Sequence, residues 1–158
     1  MVYLSKSPKE TEKLAGFFIA KILKKNLPAG KKNAVIIALE GELGAGKTVF
    51  VRGVVKALKI KAKIKSPTFN LIKKYPLSSD TRYKIHDTRY FYHLDCYRLR
   101  DYRDLKVLGI KEILDNPENI IFIEWSDRVK KILPKNHIRI HIDHVNANTR
   151  KIRIEFRT

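Results

Sequence analysis

The sequence predicts an α/β layered fold, with a mostly parallel central sheet followed by a C-terminal antiparallel hairpin. Three observations point there. Short, nearly continuous apolar runs, "AVIIALE" (34–40) and "NIIFIEW" (119–125), read as strands buried on both faces. Stretches with apolar residues three and four apart read as helices between them. Near the end, Ile138, Ile140 and Ile142, then Ile152, Ile154 and Phe156, alternate with polar residues around "NAN". That is a hairpin with one wet face. Strands mixed with helices in this way stack as α/β layers.

Each element follows from local chemistry. Ser7-Pro8-Lys9-Glu10 is a helix start: serine caps, proline takes the first helical position, and Glu10 stands where a capping box needs it. Leu14, Phe17, Phe18, Ile22 and Leu23 form the apolar face of that helix, which should fade near Asn26, before Pro28 and Gly30. A strand over 34–40 comes next, and Val51, Val54, Val55 and Leu58 mark a second helix. "KIKAKIK" (59–65) alternates with period two and predicts a strand, continued as extended chain by "TFNLIKKY". Residues 76–87 read as a polar surface loop, and 88–98, rich in aromatics, as a strand. Residues 101–114 are helical with a break near Gly109; 119–125 is a buried strand; a short helix over 128–133 stops at Pro134.

The 158 residues suit a single domain, 1–158. Apolar residues make up 44%, too many for a disordered chain. One cysteine, Cys96, excludes an internal disulfide and a cysteine zinc site, and it reads as a small buried apolar residue. No apolar run approaches the roughly 20 residues that cross a bilayer, and the N-terminus lacks the pattern of a secretory signal. The expectation is a soluble cytoplasmic protein. The formal charge of +18, from 34 Lys+Arg against 16 Asp+Glu, attracts polyanions or decorates a lysine-rich surface.

The most informative stretch is "EGELGAGKTVF". Three of the seven glycines fall between Gly41 and Gly46. "GELGAGKT" matches G-x-x-x-x-G-K-[ST], the Walker A or P-loop pattern, after a buried strand and before a helix. Glycines tolerate positive φ and let backbone amides converge on a phosphate at the helix N-terminus. Glu42, Leu43, Gly44, Ala45, Gly46 and Val49 would form the cradle. Lys47, at a surface junction of loop and helix, would reach the β- and γ-phosphates, and Thr48 would put its hydroxyl on Mg²⁺. The fold expectation sharpens to a P-loop NTPase-like one that takes a nucleoside triphosphate with Mg²⁺; the resemblance below makes that nucleotide ATP.

Such a loop needs partners, and three later stretches offer them. "SPTF" holds Thr68, "HLDCYRL" puts Asp95 near a strand end, and "IEW" puts Glu124 at the end of another. Carboxyl ends of strands are where α/β sheets build sites. Taken together, GELGAGKT, SPTF, HLDCYRL and IEW resemble the TsaE (YjeE) family, from about Ser7 to Leu133. That resemblance implies a small ATPase of tRNA threonylcarbamoyladenosine synthesis, weak alone, working with TsaB and TsaD, with tRNA met through them or directly. It implies that Lys47 and Thr48 hold phosphate and metal and that Thr68 belongs to a switch-like loop. It also implies that Asp95 and Glu124 flank Mg²⁺, that Trp125 lies beside that site, and that Thr11 lies near the nucleotide base. Cys96, the loop over 76–87 and the strong basicity depart from the family pattern.

Other readings stand beside this one. A small-molecule P-loop kinase would carry an arginine-rich lid, and none stands out. A GTPase would carry an N-K-x-D-like segment, which is absent. An RNA-binding protein with nucleotide as a structural ligand would suit the charge, yet no run interleaves aromatic with basic residues. Arg98 and Arg128 are arginine-finger candidates by position alone. His93, two residues before Asp95, shares its side of a strand and could orient that acid. His137, His141 and His144 read as surface residues of the hairpin. Lys59, Lys61, Lys63 and Lys65 would line one face of a protected edge strand or a basic strip; Arg139, Arg153 and Arg157 pose the same alternative.

Overall fold

The computed structural model describes residues 1–24, 33–62, 71–77 and 90–157. Strand β1 (Val2–Ser5) and helix α1 (Pro8–Lys24) lead into β2 (Val35–Glu40) and α2 (Lys47–Ala57). Then come β3 (Ile72–Pro76), β4 (Tyr90–Asp95), short helices α3 (Arg103–Val107) and α4 (Ile110–Asp115), and β5 (Asn119–Glu124). A 3₁₀ stretch (Ser126–Ile132) and the strands β6 (Ile138–His144) and β7 (Arg150–Phe156) complete the order.

The strands form one sheet in the order β1-β7-β6-β2-β5-β4-β3. Its centre is parallel: β2 pairs with β5 and β6, and β4 with β5. Its margins are antiparallel: β1 on β7, β6 on β7 and β3 on β4. This is the expected α/β architecture, with the hairpin β6–β7 joined to the same sheet. β1 carries no strong signal of its own. Four residues long, it becomes a strand by pairing Val2 to Ser5 with Arg153 to Arg150 of β7.

Two apolar layers explain the continuous runs. Val35, Ile37 and Leu39 of β2, with Ile120 and Phe122 of β5, point to one face, where α1 and α2 lie. Ile36 of β2, with Ile121 and Ile123, points to the other, against Leu105, Ile110 and Leu114 of α3 and α4. Strands sandwiched in this way have no polar side, so the sequence shows no alternation. The hairpin is covered on one face only: Ile140, Ile142 and Ile152 are fully buried while Arg139, His141 and Asp143 face outward. Burying each large side chain stabilises the fold by about 1.5–3 kcal/mol.

Helix α1 starts as its cap chemistry predicts: Ser7 Oγ accepts from Glu10 N at 3.2 Å, and Glu10 Oε2 accepts from Lys6 N. It then packs backbone-close on α2, since a Cβ on Gly53 would lie 2.2 Å from the Glu12 carbonyl oxygen. Three expectations fail. Phe17 and Phe156 are 67% and 52% exposed, not core residues. Helical spacing gives α1 a wider stripe than the sheet can cover, and Phe156 lies at the last position of β7, past the stretch that pairs with β1. Residues 59–62 form no strand: Lys59 sits in a turn at φ 54°, because α2 ends at Leu58 and reverses there. Residues 63–65, "SPTF" and the greater part of the loop over 76–87 lie outside the described residues.

Candidate functional site

The parallel strands β2, β5 and β4 end side by side. Leu39 is the register partner of Glu124, and Glu124 of Asp95. After Glu40 the chain turns through residues 41–46 and enters α2 at Lys47. The turn's glycines, Gly41, Gly44 and Gly46, have φ of 137°, 75° and 106°, a region that L side chains avoid. A Cβ on Gly46 would meet nothing within 4 Å, so that position faces open space. A Cβ on Gly41 would lie 2.3 Å from the Ile142 carbonyl oxygen, so this glycine is required by the passing strand. Gly41 is thus explained by the close approach of β6, which leaves phosphate space unneeded as its reason.

Lys47 departs from expectation. It is only 4% exposed, not a surface residue. Its Nζ donates to the carbonyls of Gly41 at 2.7 Å and Glu42 at 2.8 Å and lies 3.8 Å from the centre of the Trp125 ring. Burial pushes the Lys47 pKa down, opposed by the negative charges of Glu124, Asp95 and Asp127. A buried ammonium between a glycine turn and three acids favours an anion that also brings a cation.

Glu124 is the hub of the site. It is 2% exposed; its Oε2 accepts from Thr48 Oγ1 at 2.9 Å and its Oε1 meets His93 Nε2 at 2.8 Å. His93 therefore orients Glu124 on the next strand, not Asp95 on its own. The parallel register explains the change, since His93 lies two steps before Asp95, the residue beside Glu124. Asp95 is buried and its Oδ1 accepts from Tyr97 N at 3.0 Å. Trp125, at φ 58°, turns the chain away from the strand, and Ser126 Oγ bonds the Leu39 carbonyl to hold that turn. The tryptophan ring stacks near Tyr97, with centroids 4.9 Å apart.

The remaining candidates surround this hub. Glu42 and Leu43 are exposed at the loop tip, and Ala45 is buried. Val49 is half-buried in the first turn of α2. Thr11 is buried with its hydroxyl 2.8 Å from Ser5 Oγ. Ser5 pairs with Arg150, which donates to the Ala45 carbonyl, so Thr11 is tied to the loop through Ser5 and Arg150. Thr68 lies outside the described residues. Cys96 is buried and pushed up to about 12, first by burial and then by the charges of Asp95 and Asp127.

Sequence reasoning missed the hairpin's part in the site. A cleft of about 450 Å³ beside the loop is lined by Glu40, Glu42, Asp127, His141 and His144. Burial raises the Glu40 pKa, but the Arg139 guanidinium and His141 outweigh that and hold it below the ordinary value. His141 also meets Asp143 at 2.9 Å, and His137 meets the Pro134 carbonyl. These two histidines and Arg139 lie on the outward face, partly exposed, and each is held by a hydrogen bond. Only long-range pairing brings Arg139 to Glu40, and nothing in either segment alone signals it.

The magnesium chemistry fits what is present. No group of three His, Cys, Asp or Glu side chains forms a metal cage among the described residues. Mg²⁺ takes one or two carboxylates, waters and substrate phosphates in place of such a cage. Thr48, Asp95 and Glu124, near the glycine turn, could supply that incomplete set.

Comparison with known proteins agrees with this geometry. Residues 5–152 match the family described as threonylcarbamoyl adenosine biosynthesis protein TsaE. Proteins named tRNA threonylcarbamoyladenosine biosynthesis protein TsaE are similar. That of Rickettsia conorii is 37% identical over 91% of this chain and 71% of its own. That of Haemophilus influenzae is 34% identical over 72% of this chain, and the match spans 65% of its length. The crystal structure of Bacillus subtilis YdiB superposes with a TM-score of 0.72 at 26% identity, over all of this chain and 86% of that one.

Proposed function

Because the chain belongs to the TsaE family of tRNA threonylcarbamoyladenosine biosynthesis proteins, we propose that it binds Mg²⁺–ATP and hydrolyses the ATP in service of that modification. It acts with TsaB and TsaD on the adenosine next to the anticodon, as a single P-loop ATPase domain over 1–158. The observation that carries this reading is Glu124, one buried carboxylate joined both to the Thr48 hydroxyl and to His93 at the mouth of a positive-φ glycine turn.

The residues divide the work. Backbone amides at the start of α2, from Gly46 to Thr48, would meet a polyphosphate at the positive end of that helix. Lys47 gives up two carbonyl contacts to meet phosphate oxygens, and its buried charge makes that exchange favourable. Thr48, Asp95 and Glu124 would hold Mg²⁺, which neutralises phosphate charge when bound. Glu124, kept in one orientation by His93, is suited to ordering the attacking water. Trp125 covers the Lys47 ammonium and keeps solvent from the loop. Arg128 donates to the Leu99 carbonyl at 3.3 Å and its guanidinium lies over the rings of both Tyr97 and Trp125. Among the described residues no helix is long and apolar enough to cross a membrane, in keeping with a cytoplasmic role.

The test is phosphate release from Mg²⁺–ATP with and without purified TsaB–TsaD from the same source. The reading expects slow release alone and faster release with the pair. Transfer of phosphate to an added metabolite, or no release in either case, would overturn it.

A further inference from the structure

The net charge of +18 is not spread evenly over the molecule. Residues 6–24, which hold α1, carry five basic residues against two acids, and residues 47–62, which hold α2, carry five against none. Residues 100–135, which hold α3, α4 and the 3₁₀ stretch on the other side of the sheet, carry eight against seven. The two acids of α1 are also engaged: Glu12 pairs with Arg52 and Lys56, and Glu10 accepts from Lys6 N. Several lysines of the opposite side lie on tyrosine rings, Lys74 over Tyr90 at 3.7 Å and Lys106 and Lys131 over Tyr102.

Lys9, Lys13, Phe17 and Lys21 are four residues apart, so they form one ridge along α1. All four are exposed, and Phe17, 67% exposed, stands among the lysines. The core explains the inward face of this helix and leaves this ridge without a structural task. Lysines that can neutralise phosphates, with an aromatic ring between them that can stack on an unpaired base, are the recognition chemistry of RNA. The sequence hides the pattern because the four residues are separated by turns of helix.

We propose that the outer face of α1 is a docking surface for RNA, with Lys9, Lys13 and Lys21 on phosphates and Phe17 against a base. The choice of tRNA as that RNA rests on the family reading above; the surface itself does not depend on ATP hydrolysis. Since α2 starts in the glycine loop and Thr11 of α1 is linked to it, RNA held here would lie next to the nucleotide site.

The experiment is fluorescence anisotropy of labelled unmodified tRNA across a salt series, with the full chain. One variant is Lys9→Glu/Lys13→Glu/Lys21→Glu. The control is Lys106→Glu/Lys111→Glu/Lys131→Glu on the opposite face, where all three lysines are also exposed. Circular dichroism and ATP calorimetry accompany each variant. The expected result is a loss of at least about tenfold in tRNA affinity for the α1 variant, with a log K against log salt slope shallower by about two to three. The control keeps the wild-type slope to within about one. Phe17→Ala lowers affinity without changing the slope. Equal loss in both triple variants, or an unchanged slope in the α1 variant, overturns the proposal. So does equal affinity for a DNA duplex, or displacement of tRNA by polyglutamate at matched charge, which would indicate an acidic protein partner. Normal ATP binding with any of these results refutes the RNA surface alone; absent ATP binding in the wild type refutes the ATPase reading alone.

Discussion

Gly41 and Gly46 lie five residues apart in one loop, share a positive φ, and should respond to the same substitution in opposite ways. Gly46→Ala puts a methyl into open space, with nothing within 4 Å. Its stability cost is the left-handed backbone alone, about 1–2 kcal/mol, partly offset by about 0.4–1 kcal/mol from a less flexible unfolded chain. The net loss, about 1 kcal/mol, lowers Tm by about 2–4 °C for a chain of this size. If that open space is where the phosphates sit, the methyl displaces them and ATP affinity should fall at least about tenfold, or about 1.4 kcal/mol. Gly41→Ala brings its methyl to 2.3 Å from the Ile142 carbonyl, closer than the 3.0 Å below which something must shift. Strand β6 has to move, adding about 1–3 kcal/mol of overpacking to the same backbone strain. Urea unfolding and ATP calorimetry on both variants separate the effects. Gly46→Ala should be nearly as stable as wild type and a poor binder, and Gly41→Ala clearly less stable. A Gly46→Ala protein that binds ATP like wild type would refute the reasoning.

Three further outcomes follow from the site. Lys47→Ala should lose ATP binding in calorimetry and about 1–2 kcal/mol of stability in urea, since two loop carbonyls lose a donor. With Lys47 intact, ATP affinity should decline with rising pH earlier than an ordinary lysine would dictate. Burial lowers its pKa, phosphate requires the charged form, and the apo protein gains stability as pH rises through that lowered value. Glu124→Gln should keep ATP within a few-fold in affinity and cut single-turnover hydrolysis about 10²-fold or more; normal turnover would remove Glu124 from its role. Cys96, buried and pushed up to about 12, should resist thiol reagents at pH 8 until the protein is unfolded; rapid modification of the native protein would contradict its placement.

The parts of this molecule that were legible in the sequence are those where one segment carries its own reason. The buried strands β2 and β5 have no polar side, the cap of α1 is written in Ser7-Pro8-Lys9-Glu10, and Gly109 breaks the α3–α4 segment at φ 69°. The glycine turn announced itself through spacing. What stayed hidden depends on partners far along the chain. β1 exists because β7 offers it an edge. His93 serves Glu124 because two parallel strands are in register, and Arg139 is bonded because Glu40 ends the strand beside it. Lys47 looked exposed because position in a motif says nothing of burial. The lysine alternation misled over residues 59–62 because period two needs a neighbouring strand to become one, and those residues pair with none among the described residues.

The central claim is that peptide nitrogens of the glycine turn hold a polyphosphate while Thr48, Asp95 and Glu124 converge on its cation. A crystal structure with a non-hydrolysable ATP analogue and Mg²⁺ tests it most directly. The account predicts the terminal phosphates against the backbone nitrogens of residues 44–48 and the cation about 2.1 Å from Thr48 Oγ1. An analogue bound elsewhere, or a cation reached by neither acid directly or through one water, would contradict it.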